Sequence, residues 1–197
     1  FFENQTFVAL SDGVVLVMNK EGFAVRKYLK ASTQSARCIA VNPQTREMAV
    51  GYSDNLIRVF GIDELELRQT LVSHTNSVFS LQYSPDGKYL LSGSRDAHLK
   101  IWNVSEDYSL YKDVAAHLFA INHVVYSPDS HLFASCSMDK SIKIWDAVTF
   151  RLLKVIDRAR HAGHGTSINK LLWTKFNNQL VSASDDKRIS VWDIKSL

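Results

Sequence analysis

Four residue types recur at one spacing three times along this 197-residue chain. His74, Ser92, Asp96 and Trp102 are separated by 18, 4 and 6 residues. His117, Ser135, Asp139 and Trp145 repeat those separations, and so do His164, Ser182, Asp186 and Trp192. All three prolines, Pro43, Pro85 and Pro128, stand eleven residues before an aspartate of the same kind, Asp54, Asp96 and Asp139. The period, followed at Met18, Phe60, Trp102, Trp145 and Trp192, steps by 42, 42, 43 and 47 residues. A chain with such a period must build copies of one supersecondary unit that bury their apolar faces on each other.

The clearest unit, His74 to Trp102, reads as three short β-strands joined by two turns. Ser84-Pro85-Asp86-Gly87 is a turn: Pro pre-sets φ, Asp bonds its own backbone and Gly accepts positive φ. Asp96 marks the second turn, and the run Leu99-Lys100-Ile101-Trp102 follows it as a third strand. Small residues recur three before each turn aspartate, namely Ala9, Gly51, Gly93, Cys136 and Ala183. Sheets buried on both faces need such small side chains where they approach closely.

These features resemble the WD40-repeat family, in which each repeat forms one four-stranded propeller blade with a GH…WD signature. The motifs here are Gly163-His164, the variants Ser73-His74 and Ala116-His117, and Trp145-Asp146, Trp192-Asp193 and Trp102-Asn103. The resemblance covers the whole chain, strongly in the last three repeats and in degraded form in the first two. It implies an all-β WD40-type β-propeller of four-stranded antiparallel blades, forming an incomplete ring. One propeller domain is expected over 1–197, with blade units of about 1–30 (partial), 31–73, 74–116, 117–163 and 164–197 (partial). That makes eighteen strands: three, then four in each of three blades, then three. In the first two units they fall near 5–10, 14–19, 24–29, 37–41, 47–51, 56–61 and 66–71. Counting back eleven from Asp12 reaches Phe1, so the chain is expected to start after a missing strand. Because the family most often closes with seven blades, the chain looks like the C-terminal five-sevenths of a longer protein. About a hundred residues would then precede it, and that part of the same propeller is an expected partner.

By the same resemblance, His74–Ser92–Asp96–Trp102, His117–Ser135–Asp139–Trp145 and His164–Ser182–Asp186–Trp192 are structural tetrads. Indole N–H donates to Ser, Ser hydroxyl to His, and the other His N–H to Asp. In the second repeat Ser32, Val50 and Phe60 replace His, Ser and Trp, so an apolar contact is expected instead of the network. A Ser-His-Asp set also suggests a hydrolytic triad. Here it occurs three times and is capped by Trp, and no G-x-S-x-G elbow exists. No enzyme activity, cofactor or metal site is expected. His161 and His164 form a close pair, but no acidic or thiol partners cluster beside them in sequence. Lys100, Lys143 and Arg58 share one place in the third strand and are expected to snorkel at an outward edge. Trp173 occupies the place of Tyr83 and Tyr126 and is expected in the core.

With 23 basic and 20 acidic residues the net charge is only +3, which places no demand for nucleic acid or an anionic membrane. No apolar run approaches a membrane span. Cys38 and Cys136 are expected as unpaired, small, buried hydrophobes in a reducing compartment, with an intracellular, cytoplasmic setting and a nuclear one left open. The function implied by the resemblance is a non-catalytic scaffold that binds protein or peptide partners on the loop face of the propeller. The alternative is an RNA-binding propeller using the basic loop Arg158–His164. In this family partners contact three positions per repeat: three and five after the His, and one before the turn Asp. The first gives only Ser77, Ala120 and Ser167. The second gives Phe79, Asn122 and Asn169, with Arg37 in the repeat that lacks His. The third gives Arg95, Met138 and Asp185. Arg37, Phe79, Arg95 and Met138 are expected to form one patch near the channel mouth.

Overall fold

The computed structural model describes residues 2–72 and 74–194. Phe1, Ser73 and residues 195–197 lie outside the described residues, so the Ser73-His74 variant and the start at Phe1 are left where the sequence puts them. Among the described residues, eighteen strands form five antiparallel meanders. The first sheet holds β1 (Gln5–Ala9), β2 (Val14–Asn19) and β3 (Val25–Lys30). The second holds β4 (Ala36–Asn42), β5 (Glu47–Tyr52), β6 (Leu56–Gly61) and β7 (Leu67–Val72). The third holds β8 (Val78–Tyr83), β9 (Tyr89–Ser94), β10 (His98–Asn103) and β11 (Ser109–Ala115). The fourth holds β12 (Ile121–Tyr126), β13 (Leu132–Ser137), β14 (Ile142–Asp146) and β15 (Leu152–Ile156). The fifth holds β16 (Ile168–Trp173), β17 (Gln179–Ser184) and β18 (Ile189–Asp193). A single turn of helix, α1 (Arg158–His161), lies in the longer connection before His164, with Asp157 as its N-cap. Grouping and number agree with the repeat count, and β3 and β7 begin one residue later than the sequence pattern suggests.

The core lies between sheets rather than within any of them. Four clusters bridge consecutive pairs, for example Ala49, Ile57 and Val59 of the second sheet against Val78, Leu81 and Trp102 of the third. The second strands β5, β9 and β13 are accordingly buried along almost their whole length. The innermost strands pack in series, β4 on β8, β8 on β12 and β12 on β16. Close approach explains the small residues. A Cβ built on Gly93 would lie 2.6 Å from Ile121 Cγ2 of the next sheet, and one on Gly51 would lie 2.8 Å from Val78 Cγ1.

Two bulges recur at fixed places in the repeats. Between third and fourth strands the register slips at the Trp position, at Val17/Met18, Val59/Phe60, Ile101/Trp102 and Ile144/Trp145. That slip moves the outer strands off the simple alternation. Between first and second strands it slips across one residue, leaving Arg37, Phe79, Asn122 and Asn169 without a paired partner. A bulge adds a residue to one strand and re-aims its side chain. Each of these four bulges is followed by a residue paired with one of the small residues Gly51, Gly93, Cys136 or Ala183.

Candidate functional site: the bulged ends of the inner strands

The tetrad residues meet in all three repeats. Trp102 Nε1 donates to Ser92 Oγ at 2.9 Å, His74 Nε2 lies 2.8 Å from that oxygen, and His74 Nδ1 lies 2.9 Å from Asp96 Oδ2. In the next repeat the distances are 3.0, 2.8 and 2.9 Å for Trp145–Ser135, His117–Ser135 and His117–Asp139. In the last they are 2.8, 2.8 and 3.0 Å for Trp192–Ser182, His164–Ser182 and His164–Asp186. Each aspartate also accepts backbone N–H groups, from Thr75 and His98, from Leu118 and Ser141, and from Gly165 and Arg188. Burial alone would raise these carboxyls, but the His hydrogen bond and the backbone donors outweigh it. Asp96 and Asp139 are held well below the usual range and Asp186 at about 2. The three serine side chains are buried, and each already carries an indole N–H and an imidazole. No reacting carbonyl can reach them, so these three serines are not placed to act as nucleophiles.

Two expectations about neighbouring positions need correction. The second repeat keeps half of its polar network: Ser32 Oγ donates to Asp54 Oδ2 at 2.7 Å, and Arg58 Nη1 adds a bond of 2.9 Å to the same oxygen. Val50 and Phe60 do form the expected apolar half, both buried. Ser32 and Asp54 sit nearer the rim, where polar groups remain cheap to satisfy, and the Arg58 guanidinium lies over the Tyr52 ring at 4.8 Å. Nor do Lys100 and Lys143 snorkel from an open edge. Lys100 is 4% exposed and pairs with Asp113, and Lys143 donates to the Ala116 carbonyl. Their stems pass beside the tetrad serines, across from Ser92 and Ser135 in the ladder. Trp173 is buried in the core.

At the same end of the strands, the four bulged residues converge. Arg37, Phe79, Asn122 and Asn169 line one shallow cavity of about 260 Å³. The Arg37 guanidinium stacks over the Phe79 ring at 5.5 Å, and its Nε donates to Ser53 Oγ at 2.7 Å. Asn122 Nδ2 donates to the Ile168 carbonyl at 2.9 Å, and Asn169 Nδ2 donates to Asp185 Oδ1. Arg95, Met138 and Asp185 sit beside this cavity, exposed on the turns. Their backbone N–H groups donate to the carbonyls of Ser77, Ala120 and Ser167. Of the expected quartet, Arg37 and Phe79 line the cavity together with Asn122 and Asn169, while Arg95 and Met138 stand exposed on the turns. Sequence reading missed Ser53, which anchors Arg37, and Ser94, Ser137 and Ser184, which tie each turn to the incoming loop. Ser94 and Ser137 each accept the N–H of the turn aspartate and donate to a loop carbonyl. Ser184 accepts the Asp186 N–H and meets the Thr166 hydroxyl. A serine two before Asp in three repeats was the available signal.

Elsewhere, Arg160 is tied to Asp157 at 3.0 and 2.7 Å, which neutralises part of the basic loop. Cys38 and Cys136 are free thiols, and burial pushes both up to about 12. Among the described residues no three His, Cys, Asp or Glu side chains gather as a metal site, and no helix is long and apolar enough to cross a membrane.

The family model for the WD domain, G-beta repeat, matches residues 65–103, 109–146 and 156–193, more than half of the chain. Among similar proteins, nuclear distribution protein nudF 1 of Talaromyces marneffei is 32% identical over 94 residues, 47% of this chain and 20% of that protein. Apoptotic protease-activating factor 1 of Mus musculus is 30% identical over 106 residues, 52% of this chain and 8% of its own length. THO complex subunit 3 of Arabidopsis thaliana is 27% identical over 106 residues, 54% of this chain and 34% of that protein. The chain thus spans between 8% and 34% of the length of these relatives. A chain in the crystal structure of a mitotic checkpoint complex superposes with a TM-score of 0.86 at 22% identity, over 98% of this chain and 58% of that one. Repeat spacing, blade topology and the family match agree: the chain belongs to the WD40-repeat family, and its fold is that of a WD40 propeller.

Proposed function

We propose that this chain is a non-catalytic scaffold that holds a protein or peptide partner against the strand ends carrying Arg37, Phe79, Asn122 and Asn169. The observation that supports this most is the convergence of four bulges on one cavity, with an arginine stacked on an aromatic ring at its wall. Arg and aromatic side chains are the types that carry binding energy at interfaces. Charge is mixed there, Arg37 and Arg95 against Asp185, which suits a polypeptide better than a polyanion. Relatives named as subunits of complexes, such as THO complex subunit 3, fit the same reading. Burial of the three tetrad serines supports the absence of catalysis by those residues.

The test is affinity capture with the whole protein, identification of the partner by mass spectrometry, and titration of that partner on variants. Arg37→Ala with Phe79→Ala is expected to weaken binding by more than about 2 kcal/mol, roughly thirtyfold, with little change in melting. Unchanged affinity would move the partner elsewhere. Tight binding of single-stranded RNA that collapses with added salt would favour the basic-loop alternative.

A further inference from the structure

The same strand end carries three exposed apolar side chains that the fold does not use. Leu118, Phe119 and Met138 are 83%, 61% and 49% exposed. Their backbones are tied together. Leu118 N–H donates to Asp139 Oδ2, Ser137 Oγ donates to the Phe119 carbonyl, and Met138 N–H donates to the Ala120 carbonyl, each at 3.0 Å. On the other side, the Ala97 carbonyl accepts the N–H groups of Ala116 and His117. Leu118 and Phe119 therefore run between the turn that carries Arg95 and the turn that carries Met138 and Lys140.

The repeats supply their own control. Thr75 and Gly165 N–H donate to Asp96 and Asp186, and Ser94 Oγ donates to the Asn76 carbonyl, so the same backbone arrangement forms elsewhere. The places of Leu118, Phe119 and Met138 are held there by Thr75, Asn76 and Arg95 in the preceding repeat, and by Gly165, Thr166 and Asp185 in the following one. None of these is apolar and large. Contiguous exposed apolar side chains that the fold does not require mark an interaction surface.

The surrounding charge narrows what can cover them. Lys30, Arg95, Lys140, Arg158, Lys187 and Arg188 are exposed at this strand end. Among the described residues neither Arg95 nor Lys140 forms an ion pair. The acids nearby are already engaged: Asp96 and Asp139 by the tetrad histidines, Asp157 by Arg160 and Asp185 by Asn169. Phosphates would satisfy the cations but would leave Leu118 and Met138 against a charged backbone. On the reading that a polypeptide lies across this strand end, we infer that the partner's segment is both acidic and apolar. It lays a large apolar side chain on Leu118, Phe119 and Met138 and sets carboxylates against Arg95 and Lys140.

The experiment is selection of a random dodecapeptide display library on the immobilised whole protein, with hits titrated on variants. Enriched peptides should carry net negative charge and at least one large apolar residue. They should bind about tenfold more weakly to Leu118→Thr/Phe119→Asn. That variant takes the residues of the preceding repeat, so its melting should match the parent's. Arg95→Ser/Lys140→Asn, which takes the second repeat's Ser53 and Asn55, should weaken the same peptides several-fold and flatten the salt dependence of binding. Neutral or basic hits, or hits held equally by Leu118→Thr/Phe119→Asn, would overturn the inference. So would no enrichment, or single-stranded RNA held more tightly than any peptide. Arg37→Ala/Phe79→Ala separates the two sites. Binding lost in that variant alone would overturn the role of this surface and leave the cavity reading standing. Binding lost in Leu118→Thr/Phe119→Asn alone would support this surface and tell against the cavity.

Discussion

Each turn aspartate of the three full repeats serves one buried imidazole and two backbone N–H groups, so losing it leaves several donors without an acceptor at once. Asp139→Ala removes the acceptor for His117, Leu118 and Ser141. A loss of about 1–3 kcal/mol is expected as a lower urea midpoint; a midpoint equal to the parent's would deny the tetrad its structural role. Titration should show the same groups from another side. His123 is depressed to about 4, first by burial and then by the nearby charge of Lys170, and burial lowers His117 as well. A folded pKa below the unfolded value gives stability that is complete above the unfolded value and lost as pH falls. His123 therefore acts between about 6.5 and 4, His117 acts in the same direction below about 6.5, and the tetrad carboxylates act below about 4. Melting temperature should fall in both windows, and His123→Gln should flatten the upper one by a few degrees. An unchanged upper window in that variant would assign it to other groups.

Among the elements, the inner strands matter most, because their bulges turn four side chains out of the sheets and toward one another. Small residues opposite the bulges allow neighbouring sheets to approach. Gly93→Ala would push a methyl into Ile121, a buried β-branched side chain with little room to turn, and should cost about 1–3 kcal/mol in thermal or urea unfolding. Gly165, whose Cβ position meets only the flexible tip of Arg158 at 3.1 Å, serves as the control. The repeat spacing, through the family resemblance it carries, held most of the fold: strand number, sheet grouping and the meeting of His, Ser, Asp and Trp are what that resemblance implies. What it did not carry depends on contacts distant in sequence. A bulge leaves no mark in an apolar pattern, so although the resemblance puts Arg37, Phe79, Asn122 and Asn169 at one repeat position, their meeting around one cavity emerges only once the register is known. Lys100 reads as a surface charge until Asp113, on the adjacent strand, is seen to hold it. Ser32 reads as a lost histidine, although its hydroxyl still reaches Asp54.

Taken as a whole, the molecule is a series of stiff sheets whose cores lie at their junctions, so its strand ends stay in fixed relation while side chains there remain free to engage a partner. One end gathers the bulged residues together with the exposed Leu118, Phe119 and Met138. The central claim is that a protein partner lies across the bulged end. Amide hydrogen exchange, with the captured partner present and absent, tests it most directly. Binding should slow exchange at 35–38, 77–80, 120–123 and 167–170, while the already protected middle strands β5, β9 and β13 change little. Slowing confined to the outer strands β3, β7, β11 and β15, with those four segments unaffected, would contradict it.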